Sequence, residues 1–93
     1  MTIEKSHRFS SELEDIVDFI AYDSVKSALE FYDTVISKIN QISDHPYAYR
    51  KRMPLNDEFV RELIYRGYSV PFEIDIKNDK IIILGIFNQN RWQ

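Results

Sequence analysis

The residues of this 93-residue chain best suited to chemistry fall into a few short groups. Arg50-Lys51-Arg52 sets three cations in a row between Pro46 and Pro54, where they could neutralise a phosphate backbone. A solvated charge run is the simpler reading. Arg91-Trp92 joins two residue types enriched at interface hot spots, at the end of a polar tail that begins at Asn88. The competing reading folds Trp92 back onto the core. Arg50, Arg52, Asn88, Arg91 and Trp92 are therefore the candidate partner-binding residues. Glu12, Glu14, Asp15 and Asp18 offer oxygens to a hard cation, but neither His nor Cys joins them. Acids early in a helix are favoured by its dipole without any ion, so no metal site and no cofactor is expected. His45 beside Pro46 is accounted for by a helix C-terminus, and His7 lies near the first strand. Neither is expected to titrate in catalysis.

The bulk composition narrows the field. The length fits one domain spanning residues 1–93, with a modest core and marginal stability. A hydrophobic fraction of 44% with 14% aromatics predicts a folded globule rather than disorder. There is no Cys, which suits a reducing cytosol. The opening residues, Met1 to Arg8, hold no apolar run, so a secretory leader is not expected. The longest apolar run, Ile81-Ile82-Ile83-Leu84, is the size of a strand and not of a membrane span. A cytoplasmic protein without a membrane partner follows. The net charge of −3 is uneven: residues 1–44 carry −5 and residues 45–93 carry +2. Only the second half could supply a basic surface.

These groups must be positioned by elements that the pattern predicts. Residues 2–9 read as a short strand. Ser11 with Glu14 forms a capping box, and Leu13, Ile16, Val17 and Ile20 then follow helical spacing. Asp23 or Ser24 caps a second helix, in which Ala28, Phe31, Tyr32, Val35, Ile36, Ile39 and Ile42 continue to about Asp44. Phe19, Phe31 and Tyr32 read as core. Pro46 stops the helix by pushing His45 out of helical geometry. The two helices form an antiparallel hairpin. Residues 46–57 read as a loop, and Phe59 to Tyr65 as a strand. Arg66-Gly67 turns the chain, and Tyr68 to Ile76 alternates apolar and polar residues. Pro71 within that strand predicts an edge or a bulge. Lys80 to Asn88 is apolar on both faces and reads as a central strand. In Val60 to Tyr65 neither alternating face is purely apolar, so the pattern does not say which face meets the helices. The predicted class is α+β, in the order β-α-α-β-β-β, with the N-terminal helical hairpin on one face of an antiparallel sheet.

From about Phe9 to Trp92 this arrangement resembles the RelE/ParE superfamily of toxins from bacterial type II toxin–antitoxin systems. The likeness rests on the acidic first helix with Leu13, Ile16 and Ile20, and on the second helix with Ala28, Phe31, Ile39 and Ile42. Its most telling part is the strand Val60-Arg61-Glu62-Leu63, then Gly67-Tyr68, then the apolar strand Ile81 to Phe87 with its polar-aromatic tail. The long hairpin is closer to the ParE branch. The resemblance implies growth inhibition by protein contact with DNA gyrase, and neutralisation by a cognate antitoxin in a hetero-oligomer. Plasmid stabilisation is the associated role.

The RelE branch implies an alternative, cleavage of mRNA on the ribosome. Metal-free RNA cleavage needs a base for the 2′-hydroxyl, cations for the phosphorane and an acid for the leaving oxygen. Arg61 matches the family's strand arginine and could clamp phosphate. Arg66 and Arg91 could assist, and Tyr65 or Glu62 is the available base. The candidate catalytic set under this alternative is therefore Arg61, Glu62, Tyr65 and Arg66. Two departures weigh against cleavage: Ser69 stands where an Arg often follows the Gly-Tyr step, and Asn88-Gln89 stands where a His or Tyr often serves as acid. A third reading is a toxin homologue that has lost its activity.

Overall fold

The computed structural model describes residues 1–89. Strand β1 (Thr2–Lys5) leads into helices α1 (His7–Ala21) and α2 (Val25–Asn40). Two short 3₁₀ turns, Gln41–Asp44 and Pro46–Ala48, follow, then β2 (Arg50–Lys51), β3 (Val60–Tyr65), β4 (Tyr68–Asp75), β5 (Lys80–Ile83) and β6 (Phe87–Asn88). The strands form one sheet in the order β1-β5-β4-β3-β2, with β6 continuing beside β4. The α+β class and the N-terminal hairpin stand as read from sequence. The sheet is mixed rather than wholly antiparallel, because β1 runs parallel to β5, with Ile3 opposite Ile81. Turn residues set the directions of β3, β4 and β5. No turn links β1 to its neighbour, so its direction was not written locally.

Ser6, not Ser11, opens α1. Its hydroxyl accepts from Phe9 N at 3.0 Å and donates to the Leu84 carbonyl at 3.1 Å. Its own N–H donates to Ile83 O at 3.0 Å. The apolar stripe starts one turn earlier than the capping-box pattern suggested, because Phe9 is buried four residues before Leu13. Ser24 caps α2 by accepting from Ser27 N at 3.1 Å. That helix buries Ala28, Phe31, Val35 and Ile39 and ends at Asn40, after which the first 3₁₀ turn carries Ile42 into the core. Phe31 is core as expected, but Phe19 is 70% exposed and Tyr32 44% exposed, so neither belongs to the core. Among the described residues no helix is long and apolar enough to cross a membrane.

The hairpin packs Phe9, Leu13, Phe31, Val35 and Ile39 against Leu63, Val70, Phe72, Ile74, Ile81 and Ile83. Register pairs Leu63 with Val70, Arg61 with Phe72 and Tyr65 with Tyr68, so these residues share the helix-covered face. Val60, Glu62 and Ile64 point the other way. The face of β3 that the pattern left undecided is thereby assigned. Arg66 and Gly67 both take positive φ, 49° and 79°, as a two-residue hairpin of this twist requires. Gly adopts that geometry freely; Arg66 does so at a cost of about 1 kcal/mol.

Pro71 lies in an inner strand, contrary to the expected edge. Its carbonyl accepts from Leu84 N at 2.9 Å, so its missing N–H falls on the same side, where β5 has ended and β6 has not yet begun. The expected single strand over residues 80–88 is accordingly broken at Leu84–Ile86. That break is held by α1: Glu12 Oε1 accepts from Ile86 N at 3.1 Å. A Cβ on Gly85 would come within 2.6 Å of the same oxygen, so only glycine leaves this bond undisturbed. In the β4–β5 turn, the Asp75 carboxylate accepts from the Asn78 side chain and backbone, and its pKa is lowered by those bonds.

Ser6 ties the start of α1 to the end of β5 with one hydroxyl. Ser6→Ala should therefore lower stability by about 1.5–3 kcal/mol, a lost cap plus a lost long-range bond. Ser11→Ala, an exposed site inside α1, should stay within about 0.5 kcal/mol. Urea unfolding midpoints of the two variants check this order.

Candidate functional site

The sheet face turned away from the helices holds a buried carboxylate. Glu62 sits opposite Arg50 across β2–β3, and its residue is only 7% exposed. Its Oε2 accepts from Arg50 Nε at 2.7 Å. Its Oε1 accepts from Arg52 Nη1 at 3.2 Å and from the Ser69 hydroxyl at 2.7 Å. Ser69, on β4, is 1% exposed. Among the described residues every buried side-chain nitrogen or oxygen has a hydrogen-bond partner. A buried carboxylate is tolerated only when it is paired and its remaining lone pairs are satisfied, and these three donors meet that condition. The Arg52 guanidinium also lies over the Phe87 ring, 4.9 Å from its centroid.

Beside this network opens a cleft of about 400 Å³, lined by Arg50, Lys51, Arg52, Glu62, Ser69 and Phe87 together with Met53, Pro54 and Gln89. Three cations against one carboxylate give it a local charge of +2 in a chain of −3. The stretch expected to be only a loop therefore contributes a paired strand, β2, and one wall of the cleft.

The candidate catalytic residues do not converge. Arg61 lies on the opposite face from Glu62 and donates to three carbonyls: Glu58 O at 3.0 Å, Tyr47 O at 3.2 Å and Tyr49 O at 2.9 Å. Its guanidinium also covers the Tyr47 ring. These bonds pin the segment before β2 to β3. Tyr65 packs on Phe31 on the helix side, with Lys38 near its ring. Arg66 stands exposed at the hairpin tip, its guanidinium 5.5 Å from the Tyr65 ring centroid.

Of the partner-binding candidates, Arg50 and Arg52 meet at Glu62. Asn88 lines a separate groove of about 300 Å³ with Asp15, Ile16, Phe19 and Tyr68, between α1 and the end of the sheet. Arg91 and Trp92 lie outside the described residues. Sequence reasoning missed Ser69 and Phe87 as site residues. The available signal was Glu62 itself, a carboxylate placed among apolar neighbours on a strand.

The two kinds of partner around Glu62 differ in burial, so their removal should differ in cost. Ser69→Ala strips a buried charged acceptor of a donor and should destabilise by about 1.5–3 kcal/mol. Arg50 has a side chain 61% exposed. Its ion pair is screened by solvent, and Arg50→Ala should cost no more than about 1 kcal/mol. Thermal unfolding that ranked the two in the reverse order would place the weight of the network on Arg50.

Comparison with known proteins agrees with this fold. The family model for the ParE toxin of type II toxin-antitoxin system, parDE, matches residues 3–91. A solved structure, from the chromosomal ParDE TA system of P. aeruginosa, superposes with a TM-score of 0.76 at 21% identity, covering 95% of each chain. No curated protein matches by sequence. With the model spanning nearly the whole chain, the protein belongs to the ParE toxin family of type II toxin–antitoxin systems.

Proposed function

We propose that this ParE-family toxin arrests growth by protein contact with DNA gyrase, and that a cognate antitoxin neutralises it as a hetero-oligomer in the cytoplasm. The observation that carries this reading over RNA cleavage is the closed coordination of Glu62. Both of its oxygens already accept, from Arg50, Arg52 and Ser69. To act as a base it would have to surrender an ion pair in a buried setting. Arg61 is likewise committed to backbone carbonyls, and Tyr65 lies on the other side of the sheet from Glu62. Gyrase is the target that the ParE branch implies.

The outer surface of the hairpin supports a partner that covers it. Phe19, Tyr22, Val25 and Leu29 are each more than half exposed around the α1–α2 turn. The groove of Ile16, Phe19, Tyr68 and Asn88 continues that apolar ground onto the sheet. An amphipathic antitoxin segment laid along it would bury these side chains, as helix-in-groove recognition does.

Expression of the chain alone from a tight promoter tests the reading. The expected result is growth arrest with loss of plasmid supercoiling and DNA breaks while mRNA stays intact, relieved by co-expression of the antitoxin. Codon-phased mRNA cuts in the arrested cells would favour ribosome-dependent cleavage instead. Unimpaired growth would favour a homologue that has lost its activity.

A further inference from the structure

We propose that Lys38 and Arg66, set around the ring of Tyr65, anchor an acidic side chain of the antitoxin segment that lies along the neighbouring hairpin groove. The inference rests on the reading of that groove as a partner surface, and adds the charge that the partner must bring to its end.

Two cations converge on one ring. Lys38 Nζ, near the end of α2, and the Arg66 guanidinium, at the β3–β4 turn, each lie 5.5 Å from the Tyr65 ring centroid. The two charges are therefore no more than twice that distance apart. Arg66 is exposed and Lys38 half-buried. Among the described residues neither has an ion-pair partner. The chain has 15 acids against 12 Lys and Arg, yet places none of them here. The aromatic ring and the C-terminus of α2 hold the pair together, but each offsets only part of a unit charge. The remainder is open to an anion from outside.

Arg66 also takes φ 49°. Asn or Gly adopts that conformation at lower cost, and two-residue hairpins usually place them there. An arginine held in a strained turn points to a role that the turn itself does not need.

Register and packing join the cations to the groove. Tyr65 pairs with Tyr68 across β3–β4, and Phe31 meets both rings, at 5.8 and 5.3 Å between centroids. Tyr68 in turn lines the groove with Ile16 and Phe19. The apolar ground thus runs through Tyr68 to the cations, where a carboxylate would find a guanidinium fork and an ammonium together. A phosphate backbone fits less well. The Tyr65 ring, crowded by Phe31 and two cations, is a poor platform for a base, and Asp15 in the adjoining groove repels a polyanion.

The kinetics of complex formation between the purified chain and the purified antitoxin encoded with it test this, in low salt and in about 0.5 M salt. Lys38→Ala/Arg66→Ala is expected to slow association and to weaken the complex at least about tenfold in low salt, narrowing to about twofold in high salt. Lys77→Ala removes a charge beyond the far end of β4 and should bind as the parent does. Arg66→Asn is expected to weaken the complex at least about threefold while raising the melting temperature by about 3–6 °C, because Asn tolerates this turn. A residue that served the fold alone would move both readouts the same way. Phe19→Ser reports on the groove itself. Undiminished binding by Lys38→Ala/Arg66→Ala, with weakened binding by Phe19→Ser, would overturn the proposal and leave the groove reading standing. The reverse pattern would retire the groove and keep the anchor. No complex with the parent chain would defeat both. Binding of an oligothymidylate by the parent chain that is lost in the double variant would assign the cations to nucleic acid, and would likewise overturn the proposal.

Discussion

A carboxylate removed from water must find donors, and the burial of Glu62 organises one side of this molecule around that need. Leaving such a charge unpaired costs several kcal/mol. Arg50 meets it across β2–β3 and helps to fix the pairing of a strand only two residues long. Arg52 meets it from the start of the connection to β3, and Ser69 meets it from β4. The next residue back, Arg61, points to the other face and holds the carbonyls of Tyr47 and Tyr49. Two adjacent residues of β3 thus grip the segment from Tyr47 to Arg52 from both faces of the sheet. The cleft, its positive charge and its floor all follow from that grip.

The same clamp explains why β3 was hard to read. The residue types of β4 alternate from Tyr68 to Asp75, with Val70, Phe72 and Ile74 toward the helices, even though Ser69 and Pro71 on its other face are buried as well. Val60 to Tyr65 does not, because each of its faces carries a charged residue that is satisfied by chain distant in sequence. The mixture was visible; its partners were not, since nothing local in Arg50-Lys51-Arg52 says that two of its cations belong to one carboxylate. Helix spacing was far more legible, and Ala28, Phe31, Val35 and Ile39 lie where their period puts them. The errors came where one residue serves two distant elements. Ser6 caps α1 while bonding Leu84, and Glu12 bonds Ile86 from mid-helix. A capping box at Ser11 was the better local pattern, and a tertiary bond outweighed it.

The two surfaces of the fold divide its chemistry. The helical side is acidic and leaves Phe19, Tyr22, Val25 and Leu29 uncovered, as a protein partner would need. The opposite side is a sheet face whose buried carboxylate, Glu62, is tied into structural bonds, with a positive cleft at its margin. Within a family whose members are toxins, this division favours contact over cleavage. Of the residues that look catalytic on paper, Glu62 and Arg61 are the ones that hold the short strand and the loop in place.

The central claim, that Glu62 and its arginines act as one energetic unit, is tested most directly by a double-mutant cycle of Glu62→Gln and Arg52→Ala, with stability read from urea unfolding. The account predicts a coupling energy of at least about 1 kcal/mol, as expected for groups in one ion-pair and hydrogen-bond network. Additivity of the two single losses to within about 0.3 kcal/mol would contradict it, and would reduce the network to neighbours that merely share a cleft.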